Sequence, residues 1–308
     1  MDHIYDMIVI GGGPAGYTAA LYAVRAGLSC AVIERMTVGG QLALTDTVDN
    51  YPGFELGVDA ITLGMSMQAG AERFGAESVY DEISELSLDG DIKEARGTLG
   101  TYRARTVVIA TGASPRPLGL EREGELVGRG VHYCAHCDGR FYKGKRVIVV
   151  GGGNSAVGDA LYLSKLAEHV ILVHRRDELR ASRIYHDPLV KAENIELCYN
   201  TVISDIITDD NGRVKGARTV NTRDGAAGEL AADGIFISVG RVPATELVRG
   251  ILELDSSGYI ISDESTETSI PGVYAAGDVR TKSLRQIVTA ASDGAVAAHH
   301  AEQYLYGV

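Results

Sequence analysis

Short apolar runs alternate with alanine-rich stretches along the chain, and the same order of segments occurs twice. Residues 8–10 are apolar and precede a glycine-rich turn at Gly11, and residues 147–150 precede a similar turn at Gly151, 140 positions later. Short apolar runs bounded by glycine predict buried strands, and the alanine-rich stretch after each turn predicts a helix. Each copy is therefore predicted to begin with a strand, a tight turn and a helix.

A second apolar run follows each predicted helix and stops at a polar residue. In the first copy, a helix to about Gly27 leads to a strand that ends at Glu34. In the second copy, a helix to about Glu168 leads to a strand that ends at His174. Glu34 and His174 each lie 23 positions after the first glycine of their turn. The coincident spacing indicates two related strand–helix–strand domains.

Turn signals later in each copy predict a small antiparallel meander. They are Asp89-Gly90 in the first copy and Asn211-Gly212 and Asp224-Gly225 in the second. Each copy then closes with an apolar strand and a Gly-x-x-Pro exit. The predicted fold class is α/β, with two Rossmann-like, three-layer (ββα) dinucleotide-binding domains, the second inserted into the first. The predicted boundaries assign residues 1–115 and 246–308 to the first domain and residues 116–245 to the second.

Composition and charge narrow the possible partners. The chain has 308 residues, with 29 Lys and Arg against 41 Asp and Glu, for a net charge of −12. A negative protein has no general attraction to nucleic acid or anionic membranes, and no uncharged apolar run approaches the roughly 18 residues of a membrane span. The start has no signal-peptide pattern, and four cysteines are few. We therefore expect a cytoplasmic protein with no nucleic-acid partner and no membrane span.

The two glycine turns have the pattern of dinucleotide-binding sites. In such a turn, glycine permits a tight bend and lets the backbone approach a pyrophosphate at the helix N-terminus, while a third small residue packs helix on strand. Two matches, each between a strand and a helix, are far more specific than one. The predicted contacts in the first turn are Gly11, Gly13, Pro14, Ala15 and Gly16. Those in the second turn are Gly151, Gly153, Asn154, Ser155 and Ala156.

The residues at the strand ends distinguish the two predicted sites. Glu34 can accept hydrogen bonds from a ribose diol and would repel a 2′-phosphate, which suits FAD or NAD. The second strand ends at His174, and Arg175, Arg176 and Arg180 follow it. Guanidinium groups bind phosphate oxygens in pairs, so this cluster suits the 2′-phosphate of NADPH. The chain is thus predicted to carry electrons between two cofactors.

A cysteine pair provides an acceptor for those electrons. Cys134 and Cys137 have the spacing of a small disulfide, and the neighbouring His136 would stabilise a thiolate when charged. Asp138, next to the second sulfur, could donate and recover the proton that the departing thiolate needs.

Zinc is the competing interpretation of this segment. His132 and His136 provide two more possible ligands beside the cysteines. Structural zinc sites normally take ligands from two separated segments, and a second Cys-x-x-Cys pair is absent from the sequence. The pattern therefore favours redox chemistry, and no metal site is predicted.

With these motifs in place, the sequence resembles the low-molecular-weight, bacterial-type NADPH-dependent thioredoxin reductases, which are flavoproteins with two dinucleotide-binding domains. The resemblance covers essentially the whole chain and includes further short motifs in a fixed order. It implies that several segments line FAD, namely Gly40-Gln41-Leu42, Asn50, Ala110-Thr111-Gly112, Gly277-Asp278 and Arg285-Gln286-Ile287.

The resemblance also implies a mechanism and an assembly. NADPH reduces FAD, FAD reduces the Cys134–Cys137 disulfide through Cys137, and Asp138 handles the proton. Cys134 then attacks the disulfide of thioredoxin or a thioredoxin-like protein. Residues 246–308 return to the first domain, and the protein is a homodimer.

Two positions depart from the pattern of this family. His136 stands where a small or hydroxylated residue is usual, and we hypothesise that it makes the disulfide more oxidising. Gly158 replaces an acidic residue after the second glycine turn, which puts the use of NADPH in question. The alternatives that stay open are a flavin-dependent dithiol oxidase, a reductase with another electron donor, and a zinc-stabilised nucleotide-binding regulator.

Overall fold

A computed structural model of the chain describes residues 3–44 and 47–307. Residues 1, 2, 45, 46 and 308, which the predicted first domain includes, lie outside the described residues. The chain divides into two units, Met1–Ser114 with Val242–Val308, and Pro115–Arg241. The helices are α1 (Pro14–Arg25), α2 (Ala60–Glu72), α3 (Ala135–Asp138), α4 (Asn154–Leu163), α5 (His186–Lys191) and α6 (Ile287–Tyr306).

The strands are short, and most of those next to the two glycine turns are fully buried. In chain order they are β1 (Ile4–Ile10), β2 (Cys30–Glu34), β3 (Thr47–Val48), β4 (Val58–Asp59), β5 (Glu77–Tyr80), β6 (Ile83–Ser87), β7 (Lys93–Gly97), β8 (Thr101–Ile109), β9 (Ala113–Pro115), β10 (Val131–His132), β11 (Arg146–Val150), β12 (His169–Val173), β13 (Ile195–Cys198), β14 (Thr201–Thr208), β15 (Val214–Asn221), β16 (Ala227–Ala231), β17 (Gly234–Ile237), β18 (Arg241–Pro243) and β19 (Val273–Ala275).

In the first unit, the described residues form a seven-stranded sheet. Its order is β5-β2-β1-β8-β7-β6, and β19 pairs with β8. The pairs β1–β2, β1–β8, β2–β5 and β8–β19 are parallel, whereas β6–β7–β8 is antiparallel. Because parallel strands share one direction, the loops after β1, β2, β8 and β19 leave the same edge of the sheet.

Alternation along β1 builds the core on both faces of this sheet. Met7 and Val9 pack in one cluster with small residues of α1 and α6. Ile8 and Ile10 pack on the opposite face with apolar residues of β6, β7 and the chain after Val248. Successive side chains on a strand point to opposite faces, so a strand buried on both sides reads as one continuous apolar run.

The second unit repeats this plan. A parallel sheet of order β10-β17-β11-β12-β13 is accompanied by an antiparallel meander, β14-β15-β16. Val147 and Val149 pack with α4, and Ile148 and Val150 pack with residues of the meander. Helix, parallel sheet and meander therefore form the three layers, and the predicted α/β fold class is confirmed.

One predicted boundary is wrong. Helix α4 ends at Leu163, not near Glu168. The Asn194 side chain donates to the carbonyl oxygens of Ser164 and Ala167 at 2.9 and 3.2 Å, and these carbonyls would otherwise accept bonds from a longer helix. A residue 30 positions away thus fixes the end of the helix. Among the helices of the described residues, none has the length and apolar content needed to cross a membrane.

Candidate dinucleotide sites and redox centre

The first glycine turn is shaped by close backbone approaches. Gly11 has φ +112°, and a Cβ there would collide with the carbonyl oxygen of Ala110. A Cβ on Gly16 would likewise collide with the carbonyl oxygen of Gly11. These two glycines let α1 start directly against β1 and β8, and Pro14 suits the first helical position, where no N–H bond is lost.

The outer side of this turn is open. Gly13 caps α1 without a side-chain hydrogen bond, and a Cβ on it would meet nothing closer than the Gly39 carbonyl oxygen at 4.0 Å. The N–H of Gly39 donates to the Gly12 carbonyl oxygen at 2.9 Å, which holds the following 3₁₀ helix, Gly40–Leu44, beside the turn. The free N–H groups of the first helical turn therefore fit the pyrophosphate of a dinucleotide.

Glu34 closes the turn at the end of β2. Its Oε2 accepts from the N–H of Gly12 at 2.7 Å, and its Oε1 accepts from the N–H of Met36 at 3.0 Å. A carboxylate oxygen can accept more than one hydrogen bond, so both oxygens keep capacity for ribose hydroxyls. The predicted partner of the adenosine is thus placed and oriented by the turn itself.

Segments far apart in sequence meet at the same edge of the sheet. The N–H of Ala110 donates to the Ile10 carbonyl oxygen at 2.9 Å, and the N–H of Ala276, just before Gly277-Asp278, donates to the Ile109 carbonyl oxygen at 3.0 Å. Thr111 Oγ1 donates to the Ala244 carbonyl oxygen at 2.6 Å. The predicted flavin segments after β8 and β19 therefore adjoin the first glycine turn.

The segment before α6 is tied to this region by side chains. Asn50 Nδ2 donates to Gln286 Oε1 at 2.8 Å, and Gln286 also caps α6 in a reciprocal bond with Thr289. The Arg285 guanidinium lies 4.0 Å from the Tyr259 ring centroid and donates to the Arg280 carbonyl oxygen at 3.1 Å. The structure thus brings Asn50 into contact with Gln286, 236 positions away, with Arg285 next to Gln286 in the chain.

A buried ionic cluster supports Gly277 from behind. Asp293 on α6 accepts from the N–H of Gly277 at 2.9 Å, from Arg280 Nη2 at 2.8 Å and from Lys282 Nζ at 2.6 Å. Burial works to raise the pKa of Asp293, but the hydrogen bonds from Arg280 and Lys282 outweigh it and hold that pKa below its usual value. The loop that carries Asp278 is therefore anchored by charges inside the unit.

The second glycine turn copies the first. Gly151 has φ +152°, and a Cβ there would collide with the Ser238 carbonyl oxygen. Gly153 caps α4 without a side-chain bond, and a Cβ on it would meet nothing within 4 Å. The Asn154 side chain accepts from the N–H of Ser182 at 2.7 Å, which holds the loop after Arg180 against the helix start. This turn also leaves room for a pyrophosphate.

His174 and the arginines that follow it occupy different positions. The His174 ring is buried, and a Cβ on Gly152 would collide with it. Burial lowers the pKa of His174, and the charges of nearby arginines lower it further, so the ring is neutral near pH 7. Arg175, Arg176 and Arg180 are exposed, and the N–H of Arg180 donates to the Gly152 carbonyl oxygen at 2.7 Å.

One nitrogen of the buried His174 ring has no hydrogen-bond partner among the described residues. No described residue hydrogen-bonds its Nε2, which is shielded from solvent. Positive charge at this site therefore comes from the exposed arginines, and the imidazole forms the floor of the turn. An orphaned buried nitrogen beside an open helix start fits a site built for a nucleotide.

The cysteine pair forms a disulfide at the start of the second unit. Cys134 and Cys137 are joined, with Cα atoms 5.3 Å apart, across the single-turn helix α3. The N–H of Cys137 donates to Cys134 Sγ at 3.2 Å. Asp138, the last residue of α3, hydrogen-bonds through Oδ2 to His132 Nδ1 at 3.0 Å. The reducible disulfide and the candidate acid, Asp138, thus lie on the same short helix.

His136 packs on α4, the helix that also carries Gly158 and Asp159. The His136 ring lies 4.2 Å from the ring of Tyr162. Burial raises the pKa of Asp159, although the hydrogen bond from Ser238 Oγ at 2.5 Å and the charge of His136 oppose this effect. A Cβ on Gly158 would come no closer than 3.9 Å to Tyr185.

The other histidine and cysteine side chains do not form a metal centre in the described residues. No group of three or more His, Cys, Asp or Glu side chains that could hold a metal occurs there. His132 turns towards Asp138 and Tyr142, and both sulfurs of the pair are used by the disulfide. The arrangement suits thiol–disulfide exchange.

Comparison with known proteins identifies the family. The family model described as pyridine nucleotide-disulphide oxidoreductase matches residues 5–294. The chain belongs to this family. A thioredoxin reductase of Listeria monocytogenes is 48% identical over 306 residues, which cover 99% of this chain and 95% of the relative. A thioredoxin reductase of Bacillus subtilis is 44% identical over 99% of this chain and 96% of the relative.

A solved structure agrees over the whole chain. The thioredoxin reductase from Streptococcus pyogenes matches with a TM-score of 0.91 and 42% identity, covering 100% of both chains. This chain is a flavoprotein disulfide reductase, and its pyridine nucleotide-disulphide oxidoreductase family uses FAD and NADPH. The predicted family, fold class and cofactors are therefore confirmed.

Several residues that shape these sites escaped the sequence prediction. Asp293 supports Gly277, Tyr142 and Phe236 contact His132, and Ser238 donates to Asp159. Phe236 and Ser238 had a sequence signal, because both lie in the predicted apolar strand of residues 235–239 that precedes a Gly-x-x-Pro exit. The others are ordinary residues until the fold places them.

Proposed function

We propose that this protein is a thioredoxin reductase, which passes two electrons from NADPH through FAD and the Cys134–Cys137 disulfide to oxidised thioredoxin or a thioredoxin-like protein. The disulfide on α3, next to Asp138 and ahead of the second glycine turn, is the observation that carries this proposal. Relatives and solved structures named thioredoxin reductase over the full chain support it.

FAD is assigned to the first unit. When bound, FAD accepts a hydride from NADPH and passes the electron pair to a disulfide. The open turn and the Glu34 carboxylate favour the pyrophosphate and ribose there. The assigned contacts are Gly11, Gly13, Pro14, Ala15, Gly16, Glu34, Gly40, Gln41, Leu42, Asn50, Ala110, Thr111, Gly112, Gly277, Asp278, Arg285, Gln286 and Ile287.

NADPH is assigned to the second unit. Exposed guanidinium groups beside the glycine turn can hold a 2′-phosphate, and a flavin-dependent dithiol oxidase or a reductase with another donor would not need them. The assigned contacts are Gly151, Gly153, Asn154, Ser155, Ala156, His174, Arg175, Arg176 and Arg180. Within this set, the neutral His174 ring supports the glycine turn, and the arginines supply the positive charge for the 2′-phosphate.

The protein side chains have separate tasks in disulfide reduction. Cys137 is assigned as the sulfur that receives the electrons, and Cys134 as the nucleophile towards the partner's disulfide. Asp138 gives a proton to the departing sulfur and later recovers it. His136 stabilises the thiolate form when it is charged.

Assembly and location complete the proposal. Exposed apolar side chains on three helices of the first unit, Tyr22 on α1, Ile61 and Met65 on α2 and Val288 on α6, favour a homodimer formed through this unit. A dithiol that must be kept reduced fits the cytoplasm, a reducing compartment.

Anaerobic titration tests the proposal directly. NADPH should bleach the flavin absorbance band of the purified holoenzyme, and NADH should do so only at much higher concentration. Thioredoxin added afterwards should restore the band. The Cys134→Ser variant should still be bleached but should not reduce thioredoxin. Failure of both nucleotides to bleach the flavin would exclude this electron donor.

A further inference from the structure

Behind Asp138 lies a buried histidine that the proposed mechanism does not use. His132 ends β10, and the parallel pairing of β10 with β17 sets it opposite Phe236. The two rings stack with centroids 5.1 Å apart and an interplanar angle of 26°. Only 8% of the His132 side chain is exposed, against 20% for Asp138. Asp138 is thus the more exposed member of this pair.

Both ring nitrogens of His132 have a partner. Nδ1 lies 3.0 Å from Asp138 Oδ2, and Nε2 lies 2.7 Å from the Tyr142 hydroxyl. Burial, followed by the charge of Asp138, raises the pKa of Tyr142 to about 12, so this hydroxyl keeps its proton. Asp138 Oδ2, as a carboxylate oxygen, can only accept, so Nδ1 carries the ring proton and the Tyr142 hydroxyl donates to the bare Nε2. That proton points to Asp138.

We propose that His132 is the positioning residue of Asp138, through a directed chain of hydrogen bonds from Tyr142 to His132 to Asp138. The Nδ1–H bond fixes Oδ2, and Oδ1, which no described residue hydrogen-bonds, remains available to carry the transferable proton. This inference rests on the proposed acid role of Asp138. It assigns a role to His132 and Tyr142, which have none in the mechanism proposed above.

The proton and electron balance is simple. Breaking the Cys134–Cys137 bond takes two electrons, which FAD would supply when bound, and produces two thiolates, one of which is the departing sulfur. The proton on Asp138 Oδ1 passes to that sulfur, and the new carboxylate keeps its bond from His132 Nδ1–H. Solvent at the exposed edge of Asp138 restores the proton. His132 keeps its Nδ1 proton in this step, so it orients the acid without being consumed.

The other charged groups near the Tyr142–His132–Asp138 hydrogen bonds act on Tyr142. The Lys145 ammonium lies 5.4 Å from the Tyr142 ring centroid. Asp233 raises the pKa of Tyr142, and Arg213 lowers it, both less than burial does. Asp138 is the charged partner in contact with His132 itself among the described residues. Removing the histidine therefore alters the surroundings of Asp138 directly.

The test compares four variants of the FAD-loaded protein. His132→Phe keeps the stacked ring and removes the Nδ1–H donor, whereas His132→Asn keeps an N–H donor close to that position. Tyr142→Phe removes only the hydroxyl. His169→Phe is the matched control, because His169 in the same unit also contacts a carboxylate, Glu196, at 3.6 Å. Thermal unfolding of each variant identifies any that fail to fold.

The first measurement is the rate at which dithiothreitol reduces the Cys134–Cys137 bond between pH 5 and pH 9. At each time point the free thiols are alkylated and counted by mass analysis. Dividing by the rate for the unchanged protein cancels the ionisation of dithiothreitol. His132→Phe should react about tenfold more slowly at low pH. Because the lost Nδ1–H bond stabilises the charged form of its acceptor, this slowing should become smaller as the pH rises. The ratio of rates should therefore rise with pH.

The other variants complete this pattern. His132→Asn should restore most of the rate, Tyr142→Phe should show a smaller shift in the same direction, and His169→Phe should match the unchanged protein. A ratio of rates that does not depend on pH would mean that His132 only supports the fold, and would overturn the proposal. This assay uses neither NADPH nor thioredoxin, so it stands even if the proposed function fails.

The second measurement is the tautomer of His132 from NMR of protein labelled with ¹⁵N-histidine. The resonances that disappear in His132→Phe identify this ring. We expect the proton on Nδ1 in the unchanged protein and a mixture of tautomers in Tyr142→Phe. A proton found on Nε2 alone would reverse the hydrogen-bond chain and overturn the proposal.

Discussion

At the scale of single residues, neighbours in sequence have unlike roles. His174 and Arg175 are adjacent, yet the imidazole is buried under the glycine turn and the guanidinium is exposed. Only the exposed arginines can reach a phosphate in solvent. Nucleotide discrimination is therefore expected to follow the arginines and not the histidine.

The Arg175→Ala/Arg176→Ala double variant tests this division. Loss of two guanidinium contacts to a 2′-phosphate should raise KM for NADPH by tenfold or more, on the order of 1.5–3 kcal/mol for bonds between charged groups. KM for NADH should change little, because NADH lacks that phosphate. Steady-state kinetics with both nucleotides measures the ratio.

Arg218→Ala is the matched control, because Arg218 is an exposed arginine of the same unit that pairs with Asp205 at 3.2 Å. It should leave both KM values unchanged. An equal rise in KM for both nucleotides in the double variant would place the 2′-phosphate elsewhere.

His136 gives a second prediction at this scale. A charged histidine beside the cysteine pair stabilises the thiolate and so the reduced form. His136→Thr should therefore make the couple more reducing, where about 30 mV corresponds to a tenfold change in the equilibrium constant. Titration of the disulfide against glutathione measures the midpoint. His169→Thr is the control, and an unchanged midpoint in His136→Thr would contradict the hypothesis.

At the scale of elements, helices of the two units differ in how closely they are packed. Gly158 on α4 and Gly294 on α6 are both interior helical glycines. A Cβ on Gly158 would be 3.9 Å from its nearest neighbour, Tyr185, whereas a Cβ on Gly294 would collide with the Ala15 carbonyl oxygen on α1. The first glycine is replaceable and the second is required for helix packing.

Alanine at these two positions should therefore have opposite effects. Gly158→Ala should raise the free energy of unfolding by about 0.4–1 kcal/mol, because alanine restricts the unfolded chain and fits the helix. Gly294→Ala should lower it by about 1–3 kcal/mol through overpacking. Thermal or urea unfolding compares them, and destabilisation by Gly158→Ala would show that the space beside α4 is needed.

The buried cluster that joins α6 to the loop at Gly277 predicts a dependence on acid. The pKa of Asp293 in the folded chain lies below its ordinary value of 3.8. Its contribution to stability is therefore complete above about pH 5 and is lost as pH falls through the lowered folded pKa. Asp293→Asn should cost about 3–5 kcal/mol at neutral pH, because Arg280 and Lys282 stay buried with less compensation.

Urea unfolding from pH 3 to pH 7 checks this prediction. The difference in stability between the unchanged protein and Asp293→Asn should shrink as the pH falls. A difference that stays constant over this range would mean that Asp293 acts through packing and not through its charge.

At the scale of the whole molecule, self-association is the open prediction. Met65 on α2 is 58% exposed, and Val190 in the second unit is 84% exposed. Met65→Lys places a charge in the proposed dimer face and should shift sedimentation towards the monomer mass. Val190→Lys is the matched control and should leave the mass unchanged. A monomer mass for the unchanged protein would contradict the homodimer.

The amino-acid sequence by itself determined the local patterns. Continuous apolar runs, glycines where backbones must touch, and a Cys-x-x-Cys pair are properties of neighbouring residues, so strands, both turns and the redox pair were predictable. The end of α4 was not, because Asn194 supplies its cap from 30 positions away.

The tertiary structure alone decided which distant residues share an environment. It buried His174 beneath a glycine turn, joined Asp293 to Gly277, and set Tyr142 and His132 in line behind Asp138. Burial and hydrogen-bond partners depend on the packing of separate elements, and no short window of sequence contains them. Those contacts set the charge of His174 and the orientation of Asp138, whereas the sequence pattern indicated only which residues to examine.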